Sequence, residues 1–533
     1  MNPSPHCSRL IGKLSSAAWL AAIAIVMQLS VSAAPAPEAS RPNVLIISID
    51  DLNDWVGTFG GNPQTRTPNM DRFCAEGAVT FQNAYCPGPV CGPSRSAFLS
   101  GFMPYRTGIY GNSQNMRRSP LVQTHATLPE YFAQNGYQTI NRGKFFHKHA
   151  TADGLDEGQW AFTDWSSTEG AWGVNPSHLY SRLKGVYDGT KGAPTKDDAV
   201  FSRDDEGTEF AWGPTREGKE GTPDYLTSQW AADELSKQHD KPFFMVVGIS
   251  KPHLPWYVPQ EYFDRFPLDG IVIPEYKLDD LDDILTPDGK RKFSESADFK
   301  WVTRKDHADL FKRAVQAYLA AAAYSDECVG VVLDGLAKSA YKDNTIVMIF
   351  GDHGWHLGEK LRFRKATLWQ EATRLPLMVR APGITSGRAE SPRLVNLMDL
   401  YKTLIELCGL PPKAEIDGRS FVPLLKEPAR SWQYPTMTIN GLGNASIRDE
   451  RWYYIRYQDG TEEFYDMRTD PMQWKNLARS SDPEVVAAKR SLAALYPSHF
   501  APDLPRNPPK KQVRSNLPPL PSPDIKRDLS KLK

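Results

Sequence analysis

Three runs of consecutive apolar residues, each ending in charged or imidazole side chains, set the pattern of this chain. Residues 44–49 (VLIISI) run into Asp50 and Asp51, residues 243–249 (FFMVVGI) into Lys251, Pro252 and His253, and residues 345–350 (TIVMIF) into Gly351, Asp352 and His353. Runs that are apolar on both faces and separated by helical stretches predict a mainly parallel sheet covered on both sides, an α/β fold. In such sheets ligands bind beyond the carboxyl ends of the strands, so three polar ends predict one site. Residues 309–338 are Ala-rich with apolar positions at helical spacing and predict a long packed helix. Residues 394–408 predict another, stopped by Gly409 and Pro411. Residues 151–222, rich in Gly, Trp and charge, read as a loop-heavy insertion. Beyond residue 430 the pattern shortens to alternating strands at 437–439, 452–457 and 463–465, which predict a small antiparallel unit. The expected division is a main domain over 35–430, a smaller C-terminal α+β subdomain over 431–505, and a tail over 506–533. No internal repeat is found.

The ends of the chain have their own character. Arg9 and Lys13 precede an apolar run over 14–31, followed by Ser32, Ala33, Ala34 and Pro35. A charged start, an apolar centre and a small-residue end predict a signal peptide over 1–34. The run also approaches the ~20 residues that span a bilayer, so a membrane anchor is the competing reading. The small-residue end favours cleavage. The expectation is an exported protein, secreted or periplasmic, free of the membrane once the leader is removed. The tail holds eight Lys/Arg and two Asp among repeated prolines and reads as a partly disordered basic arm.

Charge changes the picture mainly by exclusion. Across 533 residues, 63 Lys+Arg face 63 Asp+Glu, so no chain-wide basic field for nucleic acid exists. With 23 Phe, 21 Tyr and 14 Trp, disorder of the whole chain is excluded as well. Six cysteines in this length make no disulfide scaffold. Cys74 and Cys86 are left as either a disulfide or two buried thiols, and Cys328 and Cys408 read as buried thiols on helices.

The most informative segment is Cys91-Gly92-Pro93-Ser94-Arg95, followed by Ser96-Ala97-Phe98-Leu99-Ser100-Gly101. It places a thiol where a helix can begin, with Pro93 suited to the first turn and an Arg one turn along. A lone cysteine there would be a buried helix-capping residue. The whole pattern, however, resembles the signature of the type I sulfatases, whose cysteine is oxidised after translation to formylglycine, an aldehyde with a nucleophilic hydrate. The resemblance extends over about residues 42 to 500. Asp50-Asp51, Gly143-Lys144-Phe145-Phe146-His147, Lys251-Pro252-His253-Leu254-Pro255 and Gly351-Asp352-His353-Gly354-Trp355 match further elements of the family. Phe464-Tyr465-Asp466, Asp470-Pro471 and Asn476-Leu477 look like its small C-terminal domain. The K-P-H-x-P and D-H-G-W elements, with Lys365 thirteen residues after Asp352, look most like the iduronate-2-sulfatase branch.

The resemblance implies an alkaline-phosphatase-like fold and a set of roles. Asp50, Asp51, Asp352 and His353, with modified Cys91, would hold a divalent cation. Mostly oxygen ligands suit Ca²⁺ or Mg²⁺, and the family favours Ca²⁺. Arg95 would hold the formylglycine hydroxyl, and Lys144 and Lys365 would bind sulfate oxygens. His253 would be the acid for the leaving alcohol, and His147 the base that regenerates the aldehyde. The implied partners are a sulfated saccharide, with a 2-O-sulfated uronic acid as the branch's unit, and a formylglycine-generating enzyme during maturation. Two other readings stay open. One is a phospho- or phosphonate monoester hydrolase of the same superfamily; the other is a glycan-binding protein whose Cys91 is never converted. His149 and His356 have no assigned role. The basic run Lys360, Arg362, Arg364 and Lys365 reads as a solvated loop, or as a reader of a second anionic group beside the sulfate.

Overall fold

The computed structural model describes residues 41–147, 157–158, 161–162, 200–201, 210–215, 218–305 and 308–505. The expected signal peptide, most of the 151–222 insertion, His149 and the basic tail lie outside the described residues. Seven strands form the central sheet, in the spatial order Ala389–Asn396, Val79–Tyr85, Arg374–Arg380, Thr345–Gly351, Asn43–Ile49, Phe243–Ile249 and Gln138–Arg142. Only Arg374–Arg380 runs antiparallel to its neighbours. The mainly parallel α/β architecture is as expected.

The strands are apolar throughout because both faces are covered. Leu45, Ile47 and Ile49 point into one core cluster with Tyr318 and Val329 of the helix Leu310–Lys338. Val44 and Ile46 point the opposite way, into a second cluster with Phe98 and Leu99 of the helix Cys91–Ser100. In the long helix Ala320 to Ala323 are all buried within the first of these clusters. No helix among the described residues is long and apolar enough to cross a membrane.

The expected helix over 394–408 is corrected. Its first residues are sheet: Leu394 and Val395 pair with Asn83 and Ala84 inside the strand Ala389–Asn396, and the helix is Asp399–Leu407. Gly409, at φ +61°, ends it as expected. The C-terminal sheet is an antiparallel meander of Thr436–Ile439, Ala445–Arg448, Trp452–Arg456 and Glu462–Asp466, followed by the helix Pro483–Ala493. Ala445–Arg448 was not expected, being four residues long beside a Gly-rich turn. The meander is fastened near the nucleophile segment, since Ile439 N–H donates to Pro87 O at 2.9 Å. Cys74 and Cys86 are separate buried thiols, not a disulfide; Cys328 and Cys408 are also free and buried.

Candidate active site

The register of three strands levels the site. Ile49 pairs with both Ile249 and Gly351, so Asp50, Ser250 and Asp352 emerge side by side. Asp50 N–H donates to Ile249 O at 2.9 Å, and Asp352 N–H donates to Ile49 O at 3.2 Å, which extends the ladder by one residue. Asp51 then turns into the left-handed region, at φ +62°. That conformation costs a non-glycine residue about 1–2 kcal/mol and persists only where its surroundings hold it. Here Tyr318 OH donates to Asp51 O at 2.8 Å, and Asp51 N–H donates to Asp352 Oδ1 at 3.1 Å.

Cys91 is the first residue of its helix and is fully buried. Gly92 N–H donates to Asn112 Oδ1 at 2.8 Å, and Ser94 Oγ donates to Asp352 O at 2.6 Å. One turn on, Arg95 ties the site together. Its Nε donates to Asp352 Oδ2 at 2.9 Å and one terminal nitrogen to Asp50 Oδ1 at 3.2 Å. The other reaches Lys144 O at 2.8 Å. Lys144 follows Gly143, whose φ of +87° and absent side chain let the backbone cross Gly248. The Lys144 ammonium lies 2.5 Å from Asp50 Oδ2.

Around the Cys91 sulfur stand Lys365 Nζ at 2.9 Å, His353 Nε2 at 3.3 Å and Asp51 Oδ1 at 3.8 Å. Donor atoms of Asp50, Asp51, Cys91 and His353 lie within 4.8 Å of one another. His353 Nδ1 donates to Gly354 O at 2.9 Å, which leaves the Nε2 lone pair facing this cluster. Asp51 Oδ2 is buried with no hydrogen-bond partner among the described residues. An orphaned carboxylate oxygen beside an aimed imidazole is what a metal site requires, and the residues fit a divalent cation. Asp352 stands at the edge of this group. Its oxygens already accept the Asp51 N–H and Arg95.

The electrostatics are those of a balanced buried network. Burial works against the Asp50 charge, but Lys144 and Arg95 outweigh it and hold the carboxyl well below its usual range. Burial likewise opposes the ammonium of Lys365, and Asp51 more than restores it, raising its pKa. Burial, with Asp50 next, pushes the Cys91 thiol up, so the unmodified sulfur is protonated and a poor nucleophile.

Lys365 gets its position from a strained strap. Arg364 and Ala366 on either side have φ of +74° and +67°. Ala366 is held by its N–H to Pro89 O at 2.9 Å, and Arg364 by Asp298, at 2.5 Å from Nε. The expected solvated basic loop is therefore corrected. Lys360 is buried on Asp280 at 2.7 Å, Arg364 is committed to Asp298, and only Lys365 faces the sulfur. His356 is buried too, 2.7 Å from Thr367 Oγ1.

The two candidate proton-transfer residues sit differently. His253 is half-buried, its Nδ1 donating to Leu254 O at 2.5 Å and its Nε2 facing Asp51 Oδ2 at 3.9 Å. Its surroundings push its pKa down to about 4, desolvation being the main cause, so the ring is neutral near pH 7. Its loop is positioned by a residue that sequence reasoning missed. The buried carboxylate of Asp224 accepts Ser250 N–H and Lys251 N–H, both at 2.9 Å. His147 follows Lys144 by three residues, and its N–H donates to the buried Glu157 at 3.1 Å. Tyr318, Asn112, Asp224 and Asp298 all act across the fold, and nothing in their local sequence marks them.

A family model for sulfatases matches residues 42–410, and one for the C-terminal region of N-sulphoglucosamine sulphohydrolase matches 351–494. The chain belongs to the sulfatase family. This sulfatase is 36% identical over 448 residues to a sulfatase of Formosa agariphila, covering 83% of this chain and 84% of the relative. It is 30% identical over 407 residues to the iduronate 2-sulfatase of Mus musculus, covering 69% of each. The phosphonate monoester hydrolase of Agrobacterium radiobacter aligns with a TM-score of 0.65 at 19% identity, over 85% of this chain and 94% of that one. At that identity the likeness speaks for the alkaline-phosphatase-like fold alone, whereas the family match makes the protein a sulfuric ester hydrolase.

Proposed function

We propose that this sulfatase is exported, that Cys91 is converted to formylglycine, and that it removes sulfate from a 2-O-sulfated uronic acid unit of a saccharide. The observation that carries this reading is Cys91 itself. It is buried at a helix start, with Lys365 at 2.9 Å, His353 at 3.3 Å and the metal-binding carboxylates around it. A thiol is a weak partner for such groups, whereas an aldehyde hydrate brings two hydroxyls that can use them. The 2-O-uronate specificity draws on the mouse iduronate 2-sulfatase relative and on Lys251-Pro252-His253.

In this reading one hydroxyl of the hydrate attacks the sulfate sulfur, and the bond from sulfur to the sugar oxygen breaks. Lys365 and Arg95 favour the ionised hydroxyl, and Lys144 and Lys365 meet the sulfate oxygens as compact cations. The attacking hydroxyl gives its proton to solvent; beside the substrate's negative charge, neutral His253 takes one up from solvent on Nε2 and passes it to the departing alcohol. His147 then accepts the proton of the second hydroxyl, the bond from carbon to sulfate breaks, and the aldehyde re-forms. Ca²⁺, held by Asp50, Asp51, His353 and residue 91, supplies Lewis-acid stabilisation of the developing charge when bound. Modification also replaces soft sulfur by oxygen, which suits a hard cation.

The test starts with protein co-expressed with a formylglycine-generating enzyme. A mass spectrum of the Cys91 peptide should show the aldehyde, and the secreted chain should begin at Pro35. The enzyme should desulfate a 2-O-sulfated uronic acid disaccharide in preference to a 6-O-sulfated one, and should hydrolyse a phosphonate monoester such as phenyl phenylphosphonate more slowly than either. Cys91→Ala should lose roughly 10³-fold or more in kcat, because it removes the nucleophile. An intact thiol in fully active enzyme overturns the reading.

A further inference from the structure

At the far edge of the sheet, where the strand Ala389–Asn396 ends, a cavity of about 370 Å³ lies between loops 417–419 and 432–437. Its acidic wall groups are already satisfied. Asp399 accepts Asn396 N–H and Arg419 N–H, each at 2.8 Å. Asp417 accepts Met103 N–H at 2.9 Å and pairs with Arg106 at 2.5 Å. The guanidinium of Arg419 is different. It is exposed, makes no ion pair among the described residues, and is held 3.8 Å above the ring centre of Tyr434. That ring stands nearly perpendicular to the buried Trp432, with centroids 4.9 Å apart.

We infer that this cavity is a second saccharide subsite, in which Arg419 holds the carboxylate or sulfate of an anionic sugar several units away from the one being desulfated. The inference rests on the saccharide substrate proposed above. Three observations support it. A stacked guanidinium has lost part of its rotamer freedom in advance and presents a planar fork that matches carboxylate and sulfate oxygens. The volume is within the ~300–1,000 Å³ of small-molecule sites, and Tyr105, Tyr434 and Thr436 add apolar surface and hydroxyls of the kind a sugar ring meets. Finally, four strand-to-strand steps separate Ala389–Asn396 from Asn43–Ile49, which at ~4.8 Å each is about 19 Å. No single sugar spans that distance, so the cavity serves longer chains only.

The test compares wild type with Arg419→Ala on a 2-O-sulfated disaccharide and on a size-fractionated heparin decasaccharide. Arg419→Ala should raise KM about tenfold on the decasaccharide, the scale of one charge-assisted contact, leaving its kcat and both disaccharide constants unchanged. Arg419→Lys should recover part of the loss, since the charge remains but the fork does not. Unchanged decasaccharide KM, or an equal rise on both substrates, overturns the subsite. Should wild type cleave neither saccharide, the proposed function fails while the cavity is still read by calorimetry. Decasaccharide titrated into Cys91→Ala protein should bind, and binding should weaken about tenfold when Arg419→Ala is added. Absent or Arg419-independent binding overturns it.

Discussion

Lys144 and Lys365 show how residue chemistry is held in reserve at this site. Each ammonium is paired with a carboxylate of the candidate metal-binding group, Lys144 with Asp50 and Lys365 with Asp51, so neither carries an uncompensated buried charge. In the proposed reaction, His253 is the group whose protonation must change. It is neutral when the site holds no anion, with its only proton on Nδ1. Its help should therefore matter most where the leaving group needs a proton most. A nitrophenolate leaves unaided, whereas a sugar alkoxide does not. His253→Ala should cost less than about threefold on 4-nitrophenyl sulfate and roughly 10²-fold or more on a sulfated saccharide. His147→Ala should slow both substrates alike and leave sulfate on residue 91, visible in a mass spectrum after turnover. Equal losses on both substrates for His253→Ala would remove it as the acid.

At the scale of elements, what was legible depended on whether burial was one-sided or complete. The strands Asn43–Ile49, Phe243–Ile249 and Thr345–Gly351 stand out because every position is covered, and a polar group follows each one at once. Leu394 and Val395 were misread because a short apolar run next to a helix has no period of its own. The strap around Lys365 was invisible, since Arg364 and Ala366 at positive φ are decided by distant contacts with Asp298 and Pro89. The glycine of the Gly143-Lys144 motif has a physical reason in the fold. A β-carbon at Gly143 would lie 1.9 Å from Gly248 O, and φ is +87°. The neighbouring strands Gln138–Arg142 and Phe243–Ile249 can continue side by side only without it. Overpacking of ~1–3 kcal/mol and left-handed strain of ~1–2 kcal/mol add up, so Gly143→Ala should destabilise by about 3 kcal/mol. It should also lower kcat/KM by displacing Lys144. Denaturant unfolding at constant m measures the first effect, and a loss below about 1 kcal/mol would show that the strand ends relax around the methyl group.

For the whole molecule, sequence order said which residues matter but not how their charges cancel. The site gathers Asp50, Asp51, Cys91, Arg95, Lys144, His253, Asp352, His353 and Lys365 from six separate stretches of chain, brought level by the strand register. Within it three carboxylates face Arg95, Lys144 and Lys365. A divalent cation entering this group would compete with Lys365 for Asp51, whose Oδ2 has no hydrogen-bond partner among the described residues, and would take the His353 Nε2 lone pair that the Cys91 sulfur faces at 3.3 Å. Binding therefore links strand ends that no covalent bond joins, and a ligand that binds only the folded state stabilises it by about 2.7 kcal/mol at a hundredfold excess over Kd. Chelation should lower Tm by several degrees and abolish turnover, and Ca²⁺ added back should restore both, with Mg²⁺ restoring less. Asp51→Asn removes the whole negative charge that Asp51 Oδ1 and Oδ2 share at the cluster's centre, so its Tm should no longer respond to Ca²⁺. Calorimetric scans of both proteins with and without Ca²⁺, alongside metal analysis of the purified enzyme, decide the matter. A metal-free wild type that keeps its rate and its Tm would show that Arg95, Lys144 and Lys365 alone balance the carboxylates, and that the cluster is an ion-pair network rather than a metal centre.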